Sequence, residues 1–262
     1  MESKTSPWDL YDRLIEGVPA EVRVVDYCLG KNWSCVKAES GAGVAYTFPG
    51  GATASGVLPD YRGGSLRDLA AQVKSWCFPE ASLGAAALNA WYATRDKLDI
   101  EAFSLATGPE SGGFALLLKQ IEQRAADFGH VGPADKPNVA VIGHFPHMND
   151  LERASHLTVL ERNPRMGDLP DPACEYVLPE QDYVLMTGTT FTNKTMPRLL
   201  ELSRNAKVYV VGPSTPLLPV LFDYGVDVLA GRFVDDPDQA LRSCETGERF
   251  GSSFVKCAVM RA

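Results

Sequence analysis

Trp8, Tyr11, Leu14 and Ile15 recur at helical spacing behind Ser6-Pro7-Trp8-Asp9, a string that reads as a helix start with Ser6 as N-cap and Pro7 at the first helical position. Gly17 and Pro19 end that helix. Two β-rich runs follow, Val22 to Leu29 and Trp33 to Ala38, joined at Gly30-Lys31-Asn32 in the manner of a hairpin, and a weaker third run spans Gly41 to Phe48. The period then lengthens. Leu66, Leu69, Ala70, Val73, Trp76 and Cys77 share one helical face behind Ser65 and Asp68, which are spaced like a capping box. Pro79 opens a further helix, Glu80 to Tyr92, whose Ala81, Ser82, Gly84, Ala85, Ala86, Ala87 and Ala90 are small enough for another backbone to approach closely. A last helix, Phe114 to Phe128, sets Phe114, Leu117, Leu118, Ile121, Ala125 and Phe128 on one stripe. Strands first and helices afterwards make this half α+β.

The polar, turn-rich stretch from Gly129 to Pro137 marks a change of period, which places a domain boundary near residue 135 and predicts an α+β domain over 1–130 and an α/β domain over 135–262. Beyond it, Val139 to Gly143, Leu157 to Glu161, Tyr183 to Thr187 and Val208 to Gly212 are short apolar or β-branched runs of the kind found in strands buried on both faces. Met196 to Arg204 is an amphipathic helix between the last two. The pattern is that of an open, doubly wound parallel sheet, whose ligands bind beyond the carboxyl ends of the strands.

Composition narrows the function classes. A chain of 262 residues, 45% apolar and 22% charged, is a folded globular protein of one large or two modest domains. Its formal charge of −8, with no run of Lys or Arg, argues against a nucleic-acid groove. No signal-peptide core or bilayer-length apolar run is visible, so the cytoplasm is the expected location, with no membrane partner. Six cysteines lie scattered without a CxxC pair, which fits reduced, buried thiols better than a disulfide framework or a zinc ribbon. Whether the chain forms a homo-oligomer stays open.

Candidate chemistry gathers at four strand ends. Gly143-His144-Phe145-Pro146-His147 lacks the GxGxxG spacing that cradles a dinucleotide, which disfavours an ordinary NAD site. His144 and His147 are only two metal ligands, and packing or hydrogen bonding is the more frequent role of such a pair; His144 is retained as a candidate for proton transfer, with Gly143 and Phe145 beside the ligand. Glu161 ends its strand where related folds place an acid for a ribose hydroxyl, and a solvated loop acid is the equal alternative. Thr187, Gly188, Thr189 and Asn193 offer hydroxyls, an amide and backbone donors to a polar ligand, although Asn193 or Thr195 is also placed to cap the helix at Met196. Gly212-Pro213-Ser214-Thr215-Pro216 reads as a turn opening a helix at Pro216, a setting suited to an anion; a rigid turn capped by Thr215 is the competing reading. GxSxG is absent, and Cys77 is left outside the site as a thiol of a type more often buried than reactive.

The strings Thr187-Gly188-Thr189-Thr190, Asn193-Lys194-Thr195, Leu199-Leu200-Glu201-Leu202, Gly212-Pro213-Ser214-Thr215-Pro216 and Gly225-Val226-Asp227-Val228-Leu229-Ala230-Gly231 closely resemble the heavy-metal chelation family, a domain of unknown function. Glu80-Ala81-Ser82-Leu83-Gly84 with Leu88-Asn89-Ala90 resembles the partner domain that precedes it. The resemblance implies an enolase N-terminal-like first domain, a Rossmann-like second domain and a site in the cleft between them. It also implies a link to heavy-metal chelators of siderophore-, pterin- or flavin-like type; no cofactor is identified from the sequence, a metal ion or metal chelate being the one candidate. On that picture Glu80 and Asn89 become site candidates from the first domain, Glu80 competing with plain dipole stabilisation and Asn89 with backbone hydrogen bonding. Trp33 and Trp76 are candidates to stack on a planar heterocycle, with core packing the commoner role.

No thiolate or imidazole cluster is visible, so a chelating small molecule, with the protein recognising its periphery, is the expected route to any metal. Three readings remain. An enzyme of condensation or hydrolysis would use Glu80 or His144 for proton transfer and the Ser214-Thr215 turn for an anionic group. A non-catalytic module would retain metal or metal chelate stoichiometrically. An adenosyl-cofactor methyltransferase-like protein ranks lowest, because His144-Phe145-Pro146 stands where a glycine-rich turn normally admits the cofactor.

Overall fold

The computed structural model describes residues 6–53, 56, 59–99, 101–128, 135–146 and 148–261. Its first unit is an antiparallel sheet of β1 (Val24–Leu29), β2 (Trp33–Ala38) and β3 (Gly41–Tyr46), in that order. Helix α1 (Asp9–Glu16) buries Leu10, Tyr11 and Leu14, followed after the sheet by α2 (Leu66–Ala70) and α3 (Phe78–Tyr92). The small residues of α3 do what their size predicts. A Cβ built on Gly43 of β3 would lie 2.2 Å from both the Ala86 carbonyl oxygen and the Ala90 nitrogen, so helix and strand meet backbone to backbone. The expected capping box does not form: Ser65 occupies the N-cap of α2 but makes no capping bond, and its hydroxyl is buried without a partner among the described residues. Trp76 is 57% exposed and packs edge-on against Trp8, so it is no core residue, whereas Trp33 packs with Phe250 and Phe254.

The second unit is an eight-stranded sheet. After α4 (Arg95–Leu98) come β4 (Phe103–Thr107) and α5 (Gly113–Phe128), then β5 (Asn138–Ile142), α6 (Asn149–Ala154), β6 (His156–Glu161) and the short β7 (Leu169–Pro170). Next are α7 (Cys174–Val177), β8 (Tyr183–Thr187), α8 (Thr189–Thr192), α9 (Met196–Leu202), β9 (Lys207–Val211), β10 (Val228–Val234), α10 (Pro237–Thr246) and β11 (Phe254–Arg261). Across the sheet the order is β4-β11-β10-β9-β8-β5-β6-β7, parallel from β10 to β7 and antiparallel at β11 and β4. The six parallel strands therefore follow the doubly wound order, and the order reverses between β5 and β8. The architecture is mixed α/β with a parallel-dominated sheet.

The structure places in the second unit a helix that the sequence assigns to the first 130 residues, and a strand of that range that the sequence does not announce. Strand β4 pairs with β11, and α5 packs Leu117 and Ile121 against Val139, Val141, Leu185 and Tyr209 of the large sheet. The physical reason is that α3 already covers β3, so the apolar stripe of α5 finds its partner face on the larger sheet. The boundary expected between 130 and 135 falls largely on residues outside those described.

One continuous apolar cluster joins the units, with Leu10, Tyr11, Leu83 and Leu88 packed into the same core as Ile142, Met186, Phe191 and Leu229. Tyr11 and Phe191 stack with ring centroids 4.8 Å apart, and the Tyr11 hydroxyl donates to the Phe191 carbonyl at 2.8 Å. Tyr11→Phe keeps the packing and removes that buried bond, leaving the carbonyl with only the longer bond from the Lys194 N–H at 3.3 Å. Its expected cost is about 1 kcal/mol, read in calorimetry as a melting temperature lower by about 2–4 °C. Among the described residues no helix is long and apolar enough to cross a membrane.

Candidate functional site

A cavity of about 750 Å³ opens where the carboxyl ends of β5, β6 and β8 meet the end of β3. This is the switch point of the parallel order, where neighbouring strands leave the sheet in opposite directions and a crevice must form. Gly143, His144, Phe145, Glu161, Thr187, Thr189 and Asn193 all line it, so seven of the sequence-predicted residues come together. Tyr46 and Phe48 close it from the first sheet, held there by two hydroxyls: Ser214 Oγ accepts from the Tyr46 N–H at 2.8 Å and Ser82 Oγ accepts from the Phe48 N–H at 2.9 Å.

His144 is the best-oriented polar group in this wall. Its Nδ1 lies 3.3 Å from Oδ2 of Asp168, whose side chain is only 6% exposed and which also accepts from the Arg165 N–H at 2.9 Å. An ionised carboxylate only accepts, so Nδ1 donates to it, and in the neutral ring Nε2 is then the acceptor. The His144 main-chain N–H donates to Glu161 at 3.0 Å, and the other Glu161 oxygen accepts from the Asn163 N–H at 3.1 Å. Glu161 thus ties the turn after β5 to the end of β6. Phe145 packs edge-on against Phe114 and forms an aromatic wall. Thr187 and Thr189 face each other at 3.2 Å between hydroxyls, while Asn193 Oδ1 accepts from both the backbone and the hydroxyl of Thr195.

Other candidates serve the scaffold. Glu80 accepts from the Ser75 hydroxyl at 2.6 Å at the start of α3 and does not line the cavity. Asn89 is buried between α3 and β3, donating to the Val44 carbonyl at 3.1 Å, with its Oδ1 unpartnered among the described residues. No helix opens at Pro216: the chain from Gly212 and Pro213 turns and runs on to a 3-10 segment at Pro219–Tyr224. Thr215 is fully buried and its hydroxyl donates to the Ala230 carbonyl. The hydroxyls expected to hold an anion are thus spent on tertiary contacts. A Cβ on Gly188 would lie 2.5 Å from backbone atoms of Ser214 and Thr215, so Gly188 is the seam between two strand-end loops and does not line the cavity. His147 lies outside the described residues.

Two residues absent from the sequence-derived set belong here. Asp168, which orients His144, sits in an irregular loop without periodic signal. Lys194 lines the cavity beside Asn193 and, among the described residues, is the one non-glycine at positive φ, at 67°. Its amine donates to the carbonyls of Ser75 and Thr192 and lies 5.6 and 5.4 Å from the ring centroids of Trp76 and Phe78. Burial lowers this amine to about 8, against a smaller opposing pull from Cys77. Unfolding restores its usual value near 10.5 and so takes up a proton between those limits. The stability of the wild type relative to Lys194→Met is therefore expected to be constant below pH 8 and to rise from pH 8 towards 10.5, as urea denaturation at pH 7 and 10 will read.

Direct chelation of a soft metal does not fit the donors among the described residues. Among the described residues no three His, Cys, Asp or Glu side chains are arranged to hold an ion. The thiols gathered between the small sheet and α10 are Cys28, Cys35 and Cys244; burial pushes Cys35 up to about 12 and raises the other two, which disfavours the thiolates a metal needs. Cys174, in the cavity wall, is raised by burial to about 11. The remaining cavity charges are largely paired at the rim, Arg162 with Asp171 at 3.2 Å and Arg198 with Glu175 at 2.6 Å.

Comparison with known proteins places this geometry in a family. Residues 126–262 match the model of DUF364, described as "Putative heavy-metal chelation", and residues 11–92 match DUF4213, which carries the same description. The uncharacterized protein MJ0500 of Methanocaldococcus jannaschii is 30% identical over 244 residues, 84% of this chain and 82% of that one. The crystal structure of a DUF364-family protein with unknown function from Desulfitobacterium hafniense DCB-2 is 34% identical, covers 97% of this chain and 98% of that chain, and superposes with a TM-score of 0.83. A second, from Pyrococcus horikoshii, is 22% identical, covers 97% and 98%, has a TM-score of 0.73, and shows the fold alone. The model matched over residues 126–262 and the Desulfitobacterium hafniense relative matched over nearly its whole length agree: this chain belongs to the DUF364 family, whose description reads "Putative heavy-metal chelation".

Proposed function

We propose that the cavity at the switch point, between the enolase N-terminal-like first unit and the Rossmann-like second unit, binds a small polar organic ligand and that His144 moves a proton on it, in a condensation or hydrolysis. The observation that carries this reading is a His144 ring held through Nδ1 by the buried Asp168 in the wall of a cavity of about 750 Å³. That volume suits a ligand of small-cofactor size. A ring fixed on one side presents Nε2 in a defined direction as general base, with the carboxylate stabilising the imidazolium that results. Thr187 and Thr189 offer hydroxyls to the ligand, and Phe145, Phe48 and Tyr46 offer apolar faces to a planar part of it.

The family's association with heavy metals enters, on this reading, through the ligand: a chelating small molecule, or a precursor of one, carries the metal's donors. Thiols that burial raises above their ordinary range support that division of labour. The test is a thermal-shift screen of carboxylated and hydroxylated heterocycles with and without Fe(III), Cu(II) or Zn(II). A compound at a hundred times its Kd stabilises the fold by about 2.7 kcal/mol. Stabilisation by the organic compound alone or by its metal complex supports the reading; stabilisation by the free metals alone contradicts it.

A further inference from the structure

Asn193 lines the crevice with half of its amide already committed. Its Oδ1 accepts from the Thr195 N–H at 3.1 Å and from the Thr195 hydroxyl at 2.7 Å, and its main-chain N–H donates to the Thr189 carbonyl at 3.0 Å. Thr189 and Thr195 line the same cavity as Asn193, so these partners belong to the cavity wall itself. A backbone N–H only donates, which fixes the orientation of the amide: the atom turned to Thr195 is the oxygen, and the atom turned away from it is Nδ2. That group, on a half-buried side chain, carries two N–H donors and meets no acceptor among the described residues.

The neighbouring hydroxyls repeat the pattern. Those of Thr187 and Thr189 lie 3.2 Å apart, so their two hydrogens serve one mutual bond and one hydrogen is left over on this bank. The facing bank has the opposite polarity. Side-chain atoms of Thr187 lie 3.0 and 3.3 Å from a Cβ built on Gly143, so the ends of β8 and β5 touch. Beyond Gly143 stand two acceptors, Nε2 of the His144 ring held by Asp168 and the Glu161 carboxylate. The guanidinium groups of the wall are paired with carboxylates, and the Lys194 amine is turned to the Ser75 and Thr192 carbonyls. An acceptor on the ligand is therefore met by uncharged donors, a setting that suits a neutral carbonyl oxygen better than a carboxylate.

We infer that Asn193 is the specificity-determining donor of the cavity: Nδ2 holds a neutral carbonyl oxygen of the ligand, of amide or lactam type, on the β8 bank, and so turns the proton-bearing edge of the ligand towards His144 on the β5 bank. The inference rests on the ligand-binding reading of the same cavity and narrows its ligand class to neutral carbonyl compounds, the lactam forms of hydroxylated heterocycles among them. Asn193→Asp separates this role from a structural one. It keeps an oxygen for Thr195 and sets an acceptor where Nδ2 stands, so it reverses the polarity shown to the ligand and leaves the turn intact.

The compounds 2-quinolone, quinoline and quinoline-2-carboxylate share a ring system and differ in the group at one carbon; each is titrated into wild type and Asn193→Asp and followed by ligand-observed NMR. Wild type is expected to bind 2-quinolone about tenfold or more tighter than the other two, and Asn193→Asp to lose that preference while its affinity for quinoline stays within about twofold and its melting temperature within about 2 °C. A wild type that holds 2-quinolone no tighter than quinoline overturns the inference without recourse to a variant. So does an Asn193→Asp protein that keeps the preference, or one that loses all three compounds alike, the mark of a purely structural asparagine. Equal binding of all three to wild type, abolished by Thr189→Trp, overturns the inference and spares the cavity as a site. Binding of none overturns it too, and the site falls with it when the wider thermal-shift screen is also negative.

Discussion

His144→Gln is expected to lower turnover by about 10²- to 10⁴-fold, the usual contribution of a positioned general base, while changing ligand affinity by less than tenfold. Gln preserves polarity and approximate volume but cannot accept and return a proton. The substrate for this assay is whichever compound raises the melting temperature of the wild type, and the split between kcat and KM is the diagnostic. Asp168→Asn provides the companion measurement. An amide at that position offers Nδ1 a donor as readily as an acceptor, so the ring is free to take the tautomer that points a proton into the cavity. A fall in kcat with little change in KM is expected there as well. Full turnover in His144→Gln removes His144 from the chemistry.

Gly43→Val is expected to cost about 3 kcal/mol or more and to lower the melting temperature by about 6–12 °C. The atoms in the way, the Ala86 carbonyl oxygen and the Ala90 nitrogen, lie 2.2 Å from the added Cβ and belong to the helix backbone, so no rotamer change relieves the clash. Either α3 or β3 must move. Because β3 leads directly to Tyr46 and Phe48, the same shift displaces the cavity's outer wall, and ligand affinity is expected to fall even at temperatures where the variant stays folded. Calorimetry and ligand titration at 15 °C separate the two effects. A melting temperature within 2 °C of the wild type contradicts this packing.

Much of the fold is legible in the chain, and the parts that are not share a cause. The apolar runs at Val139, Leu157, Tyr183 and Val208 announce buried parallel strands, and the alanine-rich helix announces close packing. Strands β4, β10 and β11 escape notice because charged or small residues interrupt them: Arg232 and Lys256 are a cross-strand pair, and Gly231 faces Cys257. Their identity as strands is a product of pairing that short-range pattern does not contain. The same limit governs the site. His144 is readable because a strand end fixes it, whereas Asp168 reaches it from a loop and Lys194 acquires its setting from Ser75 in the other half of the chain. Ser214 and Thr215 mislead for the complementary reason: a hydroxyl in a Gly-Pro turn looks free until Tyr46 and Ala230 arrive from elsewhere to bind it.

Native mass spectrometry of gently purified wild type beside Thr189→Trp, which places a bulky ring in the cavity, asks whether the crevice between β5 and β8 is a ligand site. Both proteins are exposed to the same cell extract, exchanged into volatile buffer and compared at equal protein concentration and temperature. An organic adduct of a few hundred daltons is expected on the wild type and absent from Thr189→Trp. An adduct equally abundant on both proteins, or bare metal bound to both at one equivalent with no organic mass, contradicts it.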